Sequence, residues 1–100
     1  MELAVINRLR EACLAANSRR LASPGYAVLE SACMQADYVY AVASGIETDK
    51  SRLREIIVGV YAIREFDDSD PELATALKDV QFVADRMAKG LKVSIADLMR

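Results

Sequence analysis

The chain has 100 residues with 13 basic and 15 acidic side chains, a net charge of −2; this leaves room for one domain and lacks the basic excess of a general nucleic-acid binder. A hydrophobic share of 53% supplies a core and excludes intrinsic disorder. Histidine is absent, which removes the commonest general acid–base residue and the commonest transition-metal ligand.

The first predicted helix runs from about Leu3 to Leu21. Ile6, Leu9, Cys13 and Ala16 recur at three- and four-residue steps, while Arg8, Glu11, Asn17 and Arg19 lie mostly elsewhere on the wheel. Ser23-Pro24 ends it and opens a second helix over about 24–43, with serine as cap and proline at the first helical position. Leu29, Cys33, Ala36 and Tyr40 form its apolar stripe.

Residues 44–51, SGIETDKS, read as a connector in which Gly45 suits the left-handed position after a helix and Thr48 or Asp49 caps the helix after it. The next segment contains IIVGVYAI, residues 56–63, whose β-branched side chains also suit a buried strand. Charged flanks extend it beyond ordinary strand length, and a lone strand has no pairing partner here. Leu53, Ile56, Ile57, Val60 and Ile63 fit a helical stripe, so a nearly buried helix is expected over about 50–65, with Gly59 permitting close approach of a neighbour.

The last long helix, about 71–89, opens at Asp70-Pro71 and closes at Lys89-Gly90, with Leu73, Leu77, Val80, Ala84 and Met87 on one stripe. The remaining tail, LKVSIADLMR, is either a short docking segment or a frayed end. Four amphipathic helices with short connectors predict an all-α fold, a compact antiparallel bundle of about four helices within a single domain, 1–100. No apolar run approaches the ~20 residues that span a bilayer, and no signal-peptide pattern opens the chain, so the expected location is the cytoplasm.

Little here points to chemistry. Cys13 and Cys33 have no CxxC partner and sit among apolar helix positions, where a free thiol is a small hydrophobe. There is no phosphate loop, no GxSxG, no HExxH and no histidine-dependent nucleophile. Neither a metal nor a cofactor is expected. The densest feature is REFDDSDPEL, residues 64–73, which places Glu65, Asp67, Asp68, Asp70 and Glu72 within eight residues. Paired carboxylates can do acid–base work or hold a hard cation, but the calcium-loop pattern is not met. Asp70 has a sufficient local explanation as a helix cap, and Asp67 and Asp68 as turn residues. Phe82 falls opposite the apolar stripe of its helix, among Lys78, Asp79, Asp85, Arg86 and Lys89, and Tyr38 has a similar position on the second helix. An aromatic on a charged face is either a second packing surface or a partner anchor.

REFDDSDPELATALKD, the GLKV run at 90–93, and the SPGYAVLE run at 23–30 resemble the small helical immunity proteins of bacterial type VI secretion systems, in particular those that neutralise an NAD(P)⁺-hydrolysing effector toxin. The likeness is specific over about 63–93, useful at 23–30, and weak over the first helix and 31–62. It implies a non-enzyme that binds the toxin's catalytic domain in the cytoplasm of producing and sibling cells and blocks dinucleotide access. The expected contact set is Glu65, Asp67, Asp68, Asp70 and Glu72, with Phe82 and Arg86 as anchors; neither nucleic acid nor membrane is an expected partner. Three alternatives stay open: an immunity protein against another nucleotide-consuming or ADP-ribosylating toxin, a helical adaptor or effector chaperone that homodimerises through a Phe82–Tyr38 surface, and a small carboxylate–metal enzyme.

Overall fold

Helix α1 spans Leu3–Ala22, α2 Ala27–Ala43 and α4 Pro71–Ala88, and between the last two lies an interrupted segment containing the four-residue helix α3, Val58–Tyr61. A one-turn helix α5, Ile95–Leu98, closes the chain's ordered elements. The structure, a computed structural model, describes residues 1–99. The all-helical bundle expected from the periodicity is what forms. Its Cα radius of gyration, 12.5 Å, matches the ~13 Å of a compact chain this long. Among the described residues no helix is long and apolar enough to cross a membrane.

α1 buries Val5, Leu9, Ala12, Cys13 and Ala16, a single stripe at steps of three and four. α2 answers with Leu29, Ala32, Cys33, Ala36, Tyr38, Val39 and Val42. Alanine and cysteine recur on both faces, so the two backbones can pack closely. α4 buries Leu73, Ala74, Leu77, Val80, Val83 and Ala84, which join the same core. Arg19, near the end of α1, reaches Asp70 and Glu72 at the start of α4, and Arg8 reaches Asp79 further along, so α1 and α4 run antiparallel.

Two expectations about helix starts meet different outcomes. Asp70 caps α4 as its position suggests: its carboxylate accepts the Leu73 amide at 3.2 Å, and Pro71 sits in the first turn. Ser23-Pro24, however, does not start α2. Tyr26 N–H donates to the Ser23 carbonyl across Pro24 and Gly25, and Gly25 takes φ +83°. That is a β-turn over 23–26 with glycine where φ must be positive, and the helix begins directly after it at Ala27.

The third helix expected over 50–65 is broken. Leu53–Glu55 form a single 3₁₀ turn, Ile56 is extended with ψ 123°, and α3 then passes into a π turn over Ala62–Phe66. The inward residues are Leu53, Ile56, Val58, Ala62 and Phe66. Ile57, Val60 and Ile63, expected in the core, are 45, 45 and 65% exposed. Gly59 does meet a close neighbour: a Cβ there would lie 2.9 Å from Cγ of Gln81.

The C-terminal tail docks. α4 closes with Leu91 N–H donating to the Arg86 carbonyl and Gly90 N–H to the Met87 carbonyl, the paired bonds of a Schellman end. Val93 and Leu98 are buried, Ser94 and Asp97 form a reciprocal capping box, and Arg8 Nη2 donates to the Leu98 carbonyl at 3.2 Å.

Candidate functional site

The acidic residues run from the π segment, which holds Glu65, through the turn with Asp67 and Asp68 to the cap and first turn of α4 with Asp70 and Glu72, and the structure divides them. Asp70 accepts from Arg19 Nε at 2.8 Å and Nη2 at 3.2 Å, and Arg19 Nη2 also reaches Glu72 at 3.1 Å. The Arg19 guanidinium, helped by the Leu73 amide and opposed by partial burial, holds the Asp70 carboxyl below the usual carboxylate range. Asp70 and Glu72 therefore fasten α4 to α1. Asp67 accepts from Lys78 Nζ at 2.7 Å while remaining exposed, and Glu65 accepts from the Tyr26 hydroxyl at 2.8 Å, which raises the tyrosine's pKa. Asp68 is exposed, and its carboxylate has no partner among the described residues.

The aromatic candidates also separate. Phe82 is half-buried against the core, with the Arg86 guanidinium 5.6 Å from its ring centroid. Arg86 Nε donates to the Lys92 carbonyl at 2.9 Å, so its head group secures the loop after α4. Tyr38 is not a surface anchor. Its ring is buried, its hydroxyl donates to the Asp49 carbonyl and accepts from the Arg52 amide, and Arg52 stacks 4.4 Å above it. Asp79 leaves the charged face as well: it is 5% exposed and takes Nε and Nη2 of Arg8 at 3.3 and 3.1 Å. In both cases a neighbour from distant sequence covers a helix face that the wheel leaves open.

The break at 56–59 carries a polar scaffold that sequence reasoning missed. Gln81 Nε2 donates to the Ile56 carbonyl at 2.8 Å and to Asp85 at 2.9 Å, while its Oε1 accepts the Gly59 amide at 3.0 Å. From the other side Gln35 Oε1 accepts the Ile57 amide at 2.8 Å, and Gln35 Nε2 donates to Ser31, whose hydroxyl bonds to the Tyr61 hydroxyl. Two glutamines from α2 and α4 thus satisfy three backbone groups that a broken helix leaves without partners. Ile57, Val60, Ile63, Lys78, Phe82 and Asp85 line an open groove of about 470 Å³ beside this scaffold. The available sequence signal was a second stripe, Val58–Ala62–Phe66, competing with the first.

Among the described residues no three carboxylates or thiols are grouped to hold a metal ion. Burial, with Asp37 nearby, pushes the Cys13 thiol up to about 12, and burial, opposed by Arg20, raises that of Cys33, which disfavours the thiolate at both. The segment 57–68 and the facing side of α4 present apolar and acidic side chains on the surface.

The family model described as Tsi6 matches residues 4–86. Immune protein Tsi6 of Pseudomonas aeruginosa is 44% identical over 72 residues, 72% of this chain and 77% of that protein. Among solved structures, a chain in the structure of Tse6 in complex with Tsi6 aligns with a TM-score of 0.83 at 38% identity, covering 90% of this chain and 96% of that one. The structure of Tsi6 from Pseudomonas aeruginosa aligns with a TM-score of 0.74 at 37% identity, covering 84% and 95%.

Proposed function

This chain belongs to the Tsi6 family, and from that premise we propose that it is an immunity protein that binds a cognate type VI secretion effector and blocks its active site. The observation that carries the reading is the likeness, over most of both chains, to a protein solved in complex with Tse6. The toxin is an NAD(P)⁺-hydrolysing enzyme, and the chain acts as one domain in the cytoplasm of the producing cell and its siblings, without catalysis of its own. Inhibition of this kind needs a surface matched to the toxin in shape and charge and no chemistry of its own, and the packed bundle is compatible with that.

Within the acidic stretch, Glu65, Asp67 and Asp68 are the residues assigned to the toxin, because they are exposed and none of them is tied to Arg19, whereas Glu72, though exposed, pairs with it. Negative charge there steers encounter with a cleft built to bind a phosphate-bearing dinucleotide. Asp70 and Glu72 contribute mainly by holding the turn through Arg19, and Phe82, under Arg86, lines the groove that Lys78, the partner of Asp67, also lines. A dimer through Phe82 and Tyr38 has less to recommend it, since Tyr38 is buried and both its hydroxyl bonds are made within the fold.

Co-expression with the effector encoded beside it tests the function. Cells carrying both genes are expected to keep normal NAD(P)⁺ and to grow, while cells with the effector alone lose the dinucleotide. Rescue of growth with NAD(P)⁺ unaffected by the effector assigns the toxin to another chemistry; no rescue removes the immunity reading.

A further inference from the structure

We propose that Ile57, Val60 and Ile63, with Phe82 beside them, form the apolar centre of the toxin-binding face, and that the toxin meets them with an apolar element flanked by lysine or arginine. The inference rests on the immunity reading above and adds the surface through which it operates.

The broken segment is the main ground. An unbroken helix over 53–66 would satisfy its backbone from within. Here the Ile56 carbonyl and the Ile57 and Gly59 amides rely on Gln81 and Gln35 instead. The Gln81 side chain also fills the space that a Cβ on Gly59 would need. The consequence of the break is orientation: Leu53, Ile56, Val58, Ala62 and Phe66 turn inward, and Ile57, Val60 and Ile63 are left standing in solvent. The π turn at Ala62–Phe66 belongs to the same irregularity, a type of distortion frequent at functional sites. All three exposed side chains are β-branched, so few rotamers are lost when a partner covers them.

Charge indicates the partner. The groove has Asp85 among its lining residues, and Lys78, also in the lining, holds Asp67. Glu65 and Asp68 continue the acidic side of the turn. Against these four carboxylates the nearby cations are Lys78, Arg64 and Arg86, which leaves an acidic excess that a basic rim on the toxin complements. The exposed leucines of α1 lack this setting. Leu3, Leu14 and Leu21 on α1 are separated by Asn7, Arg10, Asn17 and Ser18, the ordinary condition of single surface leucines.

The test is the Kd for the co-encoded effector, by calorimetry, of the full chain and of three variants, with Tm measured for each. Val60→Glu and Ile63→Ser are expected to raise Kd by about thirtyfold or more, the level of an interface hot spot, at little change in Tm. Leu14→Glu on α1 is the control and is expected to leave Kd unchanged. Wild-type affinity in both folded ridge variants overturns the proposal while the immunity reading stands. No binding by the wild-type chain removes the reading beneath it, and the proposal with it. A wild-type homodimer that Ile63→Ser dissociates, with effector affinity unchanged, assigns the ridge to a second copy and also overturns it.

Discussion

Asp70 has two structural tasks, and they can be separated by substitution. Its carboxylate caps α4 through the Leu73 amide and pairs with Arg19 of α1. Asp70→Ala removes both and is expected to cost about 1–2 kcal/mol, a cap near 1 and a partly exposed pair below that. By thermal melting this corresponds to a fall in Tm of about 4–8 °C per kcal/mol. Asp70→Asn keeps a good cap and loses only the charge, so it should fall less. The pH dependence distinguishes them further. Because the folded carboxyl lies below its ordinary value, its contribution is fully present above the unfolded pKa of ~4 and is lost as pH falls through the lowered value. Stability of the wild type should therefore drop below about pH 4 more steeply than that of Asp70→Asn; equal slopes would show that Arg19 does not hold the group. Arg8 and Asp79 form the more buried pair and fasten the tail as well, through the Leu98 carbonyl.

At the level of elements, α1, α2 and α4 were legible because each carries one apolar stripe and polar residues elsewhere. The segment 53–66 was not, since Leu53–Ile56–Ile57–Val60–Ile63 and Val58–Ala62–Phe66 are both acceptable stripes. A local periodicity argument cannot choose between them. The choice is made by Gln35 and Gln81, which lie 22 residues before and after the backbone amides they accept. Tyr38 and Asp79 were placed on the surface for a related reason: the residues that cover them, Arg52 with the 49–52 connector and Arg8 of α1, are remote in sequence. The acidic residues of the candidate site were visible directly, because carboxylates at a turn need no tertiary partner to be noticed. Which of them pair with Arg19 was not, since nothing near Asp70 in the chain names Arg19.

For the molecule as a whole, a net charge of −2 is too small to steer a partner, so any steering depends on where the carboxylates sit. Glu65, Asp67 and Asp68 gather on one edge of the bundle. Reversing two of them, Asp67→Lys with Asp68→Lys, is expected to slow association with the toxin by about tenfold at low salt, the gap narrowing as salt is added. Stopped-flow rates over a salt series measure this, and unchanged rates would take the turn out of the encounter surface. The fold is otherwise suited to binding without rearrangement: its core is continuous through all three long helices, and the tail is fastened by a capping box, the Arg8 hydrogen bond and two buried side chains. Amide hydrogen exchange of the chain alone and in complex with its toxin tests the toxin-facing assignment most directly. The predicted result is added protection over 56–68 and along 78–86, with the exposed face of α1 unchanged. Protection confined to α1 or α2, with 56–68 exchanging as in the free chain, would contradict it.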